Sequence, residues 1–190
     1  SRLAIVGPYL HRETRALACR LCGRRIPAAS LCARCRGRRL QPLGWGTERL
    51  EAEARRTFPE ARVIRYDSTV APDAAAAARA AFHSGAARVL VGTTMALRLA
   101  EERPVAVGAL VLADATLNLP DFRAAERTFQ LGWRLAESVE PGGSAWLQSF
   151  LPEHPALLAV ALGRPEQFYE AEWAERQELG YPPARRMERL

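Results

Sequence analysis

The chain contains no lysine, and arginine supplies all 27 of its Lys and Arg positions. A phosphate loop of the G-x-x-x-x-G-K-[ST] type uses a lysine ammonium group to bind the β- and γ-phosphates of a nucleotide. The chain therefore cannot form the complete nucleotide site of a P-loop ATPase by itself.

Long hydrophobic runs are also missing. No segment approaches the roughly 18 to 20 apolar residues that a membrane-spanning helix needs, and the first residues lack the apolar core of a signal peptide. We therefore expect a cytoplasmic protein without a membrane partner. At 190 residues and 48% hydrophobic, the chain can bury the core of one domain with a small appendage. Because it starts at Ser1 rather than at methionine, we expect it to be a piece of a longer protein.

Cysteine occurs only within residues 19–35, as two Cys-x-x-Cys pairs formed by Cys19, Cys22, Cys32 and Cys35. In a reducing cytosol this spacing predicts two turns whose thiolates bind one Zn²⁺ tetrahedrally. Four thiolates leave no open coordination position, so the predicted zinc is structural. Disulfides of a secreted domain and a thioredoxin-like redox motif are the alternatives.

Positive charge is concentrated around these cysteines. Residues 1–40 hold ten arginines and one acid, a net +9, whereas the remaining 150 residues hold seventeen arginines and twenty acids, a net −3. Clustered arginine without compensating acids predicts contact with a phosphate backbone, and a solvated polar rim is the alternative. The candidate nucleic-acid-binding cluster consists of Arg20, Arg24, Arg25, Arg34, Arg36, Arg38 and Arg39.

Short apolar runs alternate with helical patterns along the rest of the chain. Strands are predicted at 3–6, 62–66, 88–92, 109–113 and 145–150. Helices are predicted at 47–58, 73–83 and 94–102, then from Asp121 onward, with two more after Pro152. Strands separated by helices of this length predict an α/β fold with a parallel sheet and helices on both faces, a three-layer sandwich.

Ligands of such sheets bind at the carboxyl ends of the strands. The runs YDST (66–69) and VGTTM (91–95) follow two of the predicted strands there. Thr93 and Thr94 are candidates for contacts to the backbone of a nucleic acid, although Gly-Thr-Thr is also an ordinary helix start. No residue is predicted to be catalytic.

Several blocks of sequence occur in the order and approximate spacing found in one protein family. After the cysteine pairs come PLGWGTERLEAE, FPEARVIRYDST, RVLVGTTMA, LNLPDFRAAERTFQL, LPEHPALL and AERQELGYPP. Together they resemble the second RecA-like helicase lobe of the replication restart (primosomal protein N′, PriA) family. The resemblance implies a first strand in 1–10, a zinc-binding module in 11–42, a RecA-like lobe in 43–151 and a helical segment in 152–190.

The chain departs from that family in three places. The family's lysine-glycine segment is replaced by ALRLAEERPVAV (96–107), which contains Glu101 and Glu102. The family's arginine-rich repeat is replaced by GWRLAESVEPGGSAW, in which Arg134 is the single arginine, beside Glu137 and Glu140. The family's eight cysteines around two zinc ions are reduced to four.

The resemblance implies a DNA-binding replication restart protein that recognises stalled or branched forks and promotes reloading of the replicative helicase. In an active helicase of this family, arginines of this lobe would contact the nucleotide. Because this chain lacks the arginine repeat, the departures predict that the protein has no helicase activity. The implied partners are branched or single-stranded DNA, single-stranded-DNA-binding protein and helicase loading factors, in the nucleoid-associated cytoplasm. The alternatives are an active ATP-dependent 3′-5′ helicase, with Arg134 or Arg98 as its phosphate contact, and a zinc-ribbon adaptor for protein docking.

Overall fold

The chain folds into a mixed α/β structure, described here from a computed structural model. The structure describes residues 3–6, 16–18, 25–27, 46–119 and 121–186. Within those residues, seven helices accompany one five-stranded sheet and one two-stranded sheet.

The strands are β1 (Leu3–Val6), β2 (Ala16–Ala18), β3 (Arg25–Pro27), β4 (Val63–Tyr66), β5 (Val89–Gly92), β6 (Val105–Leu110) and β7 (Val139–Leu147). The helices are α1 (Thr47–Thr57), α2 (Pro72–Ser84), α3 (Thr94–Glu102), α4 (Asp114–Leu117), α5 (Ala124–Glu137), α6 (Pro155–Leu162) and α7 (Pro165–Leu179).

The larger sheet is parallel throughout and has the order β4-β5-β1-β6-β7. Strand β1 is central: Leu3 lies opposite Val89 of β5 on one side and opposite Val107 of β6 on the other. The smaller sheet is an antiparallel pair in which Ala18 of β2 lies opposite Arg25 of β3. Parallel strands need crossover connections, which explains why a helix precedes β4, β5, β6 and β7.

Alternate residues of β4 and β5 face opposite sides of the sheet and pack on different helices. On one side, Val63 and Val89 pack with Leu50 of α1. On the other, Ile64 and Leu90 pack with helices α2 and α3. The residues of α2 and α3 in this second cluster are Ala78, Ala81, Phe82, Ala96, Leu99 and Ala100.

Helix α5 joins the sheet to the C-terminal helices. Its Leu135 is fully buried and lies over Gly108 of β6, where an added Cβ atom would be 3.0 Å from the Leu135 side chain. Phe129, on another face of α5, stacks on Phe168 of α7 with ring centroids 4.3 Å apart and packs against Val160 of α6. Phe129 and Phe168 are therefore part of the core.

Two predicted strands are displaced in the structure. The strand predicted at 109–113 lies at 105–110, because the chain leaves the sheet at Leu112, whose φ is +56°. The strand predicted at 145–150 begins at Val139. The Glu-Pro-Gly-Gly run, typical of a turn, lies inside this strand as a bulge: Val139 pairs with Val105, and Ser144 pairs with Val107.

The prediction of an α/β fold with parallel strands is confirmed. The three-layer RecA-like assignment, the zinc ribbon and the domain boundaries remain predictions. Among the helices of the described residues, none combines the length and the apolar character required to span a membrane.

Candidate nucleic-acid interface

The loops at the carboxyl edge of the larger sheet contain the polar residues singled out from the sequence. Strand β4 ends at Tyr66 and β5 ends at Gly92, and these two residues are register partners. The YDST and VGTTM segments are therefore neighbours at this edge, where ligands of parallel sheets bind.

Gly92 permits the two loops to approach closely. A Cβ atom at this position would lie 2.1 Å from the Tyr66 carbonyl oxygen and 2.6 Å from the Ala96 Cβ atom. Both distances are far below van der Waals contact. Glycine is thus required here by close packing between the end of β5, the end of β4 and the start of α3.

Thr93 and Thr94 occupy different positions at the start of α3. Thr93 is the N-cap residue, and its Oγ1 atom accepts a hydrogen bond from the Met95 backbone N–H at 3.5 Å. Thr94 is the first residue of the helix and is exposed. A hydroxyl that accepts one bond can still donate its hydrogen, so the capping role leaves the Thr93 hydroxyl a donor for a phosphate oxygen.

A buried carboxylate, Asp67, organises the neighbouring loop. Its Oδ2 atom accepts a hydrogen bond from the Thr47 hydroxyl at 2.6 Å, and its Oδ1 atom accepts bonds from the Thr69 backbone N–H at 2.8 Å and from the Thr69 hydroxyl. Arg65 Nε is 3.5 Å from Oδ2. Asp67 therefore links the first residue of α1 to the end of β4.

The pKa of Asp67 reflects two opposed effects. Burial opposes ionisation and acts to raise the pKa, whereas the hydrogen bonds from Thr47 and Thr69 and the charge of Arg65 act to lower it. The hydrogen bonds and the charge of Arg65 outweigh the effect of burial, and the pKa of Asp67 lies below its ordinary value. Asp67 is therefore ionised at neutral pH, and protein donors hold both of its oxygens.

A second carboxylate, Asp114, joins the loops that follow β6 and β7. It accepts hydrogen bonds from the Ser149 hydroxyl at 3.0 Å and from the Phe150 backbone N–H at 3.1 Å. Like Asp67, it is buried and supplied with protein donors. Within the described ranges, no group of three His, Cys, Asp or Glu residues is placed to hold a metal ion.

The predicted zinc ligands, Cys19, Cys22, Cys32 and Cys35, lie outside the described residues, as do Arg20, Arg24, Arg34, Arg36, Arg38 and Arg39. Arg25 is the first residue of strand β3. Strands β2 and β3 pair with each other, and residues 19–24, which connect them in the sequence, include the first Cys-x-x-Cys pair.

The segment that replaces the family's arginine repeat begins near the end of α5 and continues into β7, the terminal strand farthest from β4. Arg134, near the end of α5, forms a bidentate ion pair with Glu101, near the end of α3. Hydrogen bonding to Glu101 raises the pKa of Arg134 further above its usual value. Glu137 accepts a hydrogen bond from the Trp133 indole at 2.8 Å, and Glu140 lies in the exposed bulge of β7.

Sequence reasoning singled out Arg134 and Glu101 separately but missed their pairing, because 33 positions separate them. It also placed YDST in a loop at the ligand-binding edge and did not predict the burial of Asp67. A threonine at a helix start and an aspartate at a strand end were visible signals, but their contact depends on how α1 packs on the sheet.

No protein-family model matches the chain. The chain is 35% identical over 178 residues to "Replication restart protein PriA" of Bacillus subtilis, covering 91% of this chain and 22% of that protein. It is 32% identical over 185 residues to the protein of the same name from Treponema pallidum, covering 95% and 28%. It is 34% identical over 183 residues to "Probable replication restart protein PriA" of Deinococcus radiodurans, covering 95% and 19%.

The chain is similar to a segment of these PriA replication restart proteins. It spans between about a fifth and just over a quarter of the length of these curated relatives. The PriA resemblance found from the sequence blocks is thus confirmed.

Proposed function

We propose that this chain is the second RecA-like lobe, with its zinc module and the helices that follow, of a replication restart protein. The parent protein binds stalled or branched replication forks, promotes reloading of the replicative helicase and does not unwind DNA itself. The observation that carries the proposal is the similarity to PriA proteins over at least 91% of the chain in the three comparisons above.

The arrangement of the larger sheet supports the RecA-like part of the proposal. Its five strands are parallel, helix α1 packs on one face, and helices α2 and α3 pack on the other. This is the layering expected of a nucleotide-dependent motor lobe. The Gly92 and Thr93 turn then places a helix start and a hydroxyl donor at the edge where a strand of nucleic acid would contact the lobe.

The pairing of β2 with β3 supports the zinc module. A Cys-x-x-Cys pair between two short antiparallel strands is a common arrangement for two ligands of a structural zinc ion. Cys32 and Cys35 would complete the tetrahedron. The arginine cluster between and beside these ligands would then contact DNA phosphates without sequence preference.

The ion pair between Arg134 and Glu101 supports the absence of motor activity. An arginine that stabilises phosphoryl transfer contributes a factor of roughly 10³ to 10⁵ in rate, through its charge near the phosphates. Here the Glu101 carboxylate occupies one edge of the Arg134 guanidinium, through Nε and Nη2, and two further glutamates, Glu137 and Glu140, follow it in the sequence.

The proposed partners are branched or single-stranded DNA, single-stranded-DNA-binding protein and the loading factors of the replicative helicase, in the nucleoid-associated cytoplasm. The deciding experiment uses the intact parent protein. We expect saturable binding to a model fork, measured by fluorescence anisotropy, without DNA-stimulated ATP hydrolysis and without strand separation.

Two results would contradict the proposal. DNA-stimulated turnover in the usual range of roughly 1 to 100 per second, abolished by Arg134→Ala, would identify an active ATP-dependent 3′-5′ helicase. Absence of fork binding would instead favour a zinc-ribbon adaptor that docks proteins.

A further inference from the structure

A groove runs along the outer edge of β4, between α1 and α2. Its volume is about 410 Å³. Strand β4 is the terminal strand of the sheet, and no strand of the described residues pairs with its outer side. The floor of the groove is therefore an open edge of backbone.

The hydrogen-bonding direction of β4 can be read from its pairing with β5. The Arg62 carbonyl accepts bonds from the N–H groups of Arg88 at 3.1 Å and Val89 at 3.3 Å, so Arg62 faces β5. Backbone groups alternate in direction along a strand. The N–H and C=O groups of Val63 and Arg65 therefore point into the groove, and those of Ile64 point to β5.

The wall contributed by α2 leaves this edge open because it consists of small side chains. Ala74, Ala77 and Ala78 line the groove, and an alanine extends only one carbon beyond the backbone. Larger residues at these positions would cover the strand, which is one of the usual ways of protecting an edge. The residues of α2 that line the groove are therefore all alanines, and they leave the outer side of β4 accessible to an added chain.

The charge of the groove is positive. Arg55, Arg62 and Arg65 line it, with Glu51 as the single acid. Glu51 lies 2.8 Å from Arg55, and Arg65 is close to the carboxylates of Glu48 at 3.2 Å, Asp67 at 3.5 Å and Glu51 at 3.7 Å, so the uncompensated positive charge of the groove is that of Arg62. Within the described part of the chain, Arg62 has no ion-pair partner and is exposed, as is Arg88, which directly precedes β5 and donates its backbone N–H to the Arg62 carbonyl.

We propose that this groove binds an extended, acidic peptide segment of a partner protein, which adds to β4 as a sixth strand. Main-chain hydrogen bonds to Val63 and Arg65 would supply the pairing. Small apolar side chains would pack on the alanine wall, and acidic side chains would meet Arg62 and Arg88. A nucleic acid fits this edge less well, because phosphates match the strand's N–H donors but repel its C=O acceptors.

The probe is a fluorescein-labelled acetylated octapeptide of alternating glutamate and valine, added to the 190-residue chain. We expect saturable anisotropy binding. Methylation of all the internal amide nitrogens of the peptide should weaken binding at least about tenfold, since the peptide then has no donor for the edge. Residue-resolved amide exchange should show slower exchange at Val63 and Arg65 and no change at Ile64.

Two variants and one control test the groove itself. Ala77→Phe fills the groove, and Arg62→Glu reverses its charge; each should weaken binding about tenfold or more. Ala76→Phe adds the same side chain at an exposed position of the same helix that does not line the groove, and it should bind like the unaltered chain. Circular dichroism spectra of all three variants should show that the helices are retained.

Several outcomes would overturn the proposal. These are the absence of saturable binding, equal affinity for the methylated peptide, and equal weakening by Ala76→Phe and Ala77→Phe. Protection of Val63 and Arg65 by a single-stranded oligonucleotide of the same charge, but not by the peptide, would assign the groove to nucleic acid instead.

Discussion

The Arg134 guanidinium binds the Glu101 carboxylate through two hydrogen bonds, Nε to Oε1 at 2.6 Å and Nη2 to Oε2 at 3.0 Å. Both side chains are more than a third exposed, at 41% and 36%. An exposed pair of this kind contributes about 0.5 kcal/mol or less to folding, because solvent screens it. Its main effect is to fix where the arginine's charge lies.

This geometry predicts the behaviour of a variant that releases the arginine. Glu101→Gln should lower the free energy of unfolding by less than about 1 kcal/mol. In the parent protein it should not create DNA-stimulated ATP hydrolysis, because freeing one arginine does not restore the missing lysine-glycine segment. Urea unfolding and a coupled ATPase assay measure the two effects. Appearance of turnover in Glu101→Gln, lost again in the double variant with Arg134→Ala, would refute the expectation.

One zinc ion per chain is predicted at Cys19, Cys22, Cys32 and Cys35. Metal analysis of protein purified without chelator should give a ratio near one, since no other cysteine is present to form a second site. Cys22→Ser should lose the metal, because structural zinc sites need all four ligands. A ratio of two, or a Cys22→Ser protein that retains zinc fully, would contradict the prediction.

Fork binding should weaken steeply with salt, with much of that dependence coming from the arginine cluster. Each phosphate neutralised by the protein releases bound counterions, so the slope of log affinity against log salt falls by about one per lost contact. The triple change of Arg34, Arg36 and Arg38 to glutamine should therefore flatten the slope by up to about three. Affinity should fall similarly for every DNA sequence.

The matched control for that experiment removes three exposed arginines elsewhere in the chain, Arg164, Arg185 and Arg186. It changes the net charge equally, so a slope that depends on total charge alone would change to the same extent in both variants. Such a result would mean that the cluster is a solvated rim.

Asp67 predicts a pH dependence of stability. Its pKa is lowered in the folded state, so the stabilisation is present above the ordinary aspartate pKa of about 3.9 and is lost as pH falls towards the lower, folded-state value. Asp67→Asn should cost about 2 kcal/mol at pH 7, because the amide's NH₂ group faces hydrogen-bond donors.

In Asp67→Asn, the free energy of unfolding should fall less steeply as the pH is lowered, because the ionisation of Asp67 no longer contributes. Urea unfolding of both proteins between pH 3 and 7 gives the comparison. Asp73→Asn is the control, since Asp73 is exposed at the start of α2. Equal effects of the two substitutions at pH 7 would show that the Thr47 contact is not stabilising.

The sequence predicted the elements whose local signals agree with their environment. Helix α3 was predicted with its observed bounds, 94–102, at the Gly-Thr-Thr run that is an ordinary helix start. Strands β4 and β5 were predicted within one residue, since every residue of β5 is buried and Val63 and Ile64 of β4 are buried on opposite faces of the sheet.

The errors arose where tertiary packing prevailed over a local signal. Pro141 and two glycines indicated a turn, yet the sheet accommodates them as a bulge because β7 is an edge strand and does not need every backbone hydrogen bond. Gly143 is required there, since a Cβ atom would lie 2.4 Å from the Ala106 carbonyl oxygen. The contacts of Arg134 and Asp67 could not be predicted because they depend on how distant helices pack.

The central position of β1 has a consequence for the order of folding. Leu3 pairs with residues 86 and 104 positions later, since 89 − 3 = 86 and 107 − 3 = 104. Neither half of the larger sheet can join the other until this strand is inserted, and contacts of such high sequence separation form slowly. During synthesis β1 must therefore wait for β6 to emerge from the ribosome, and a separately supplied peptide containing residues 1–10 should restore folding to a chain that begins after β1.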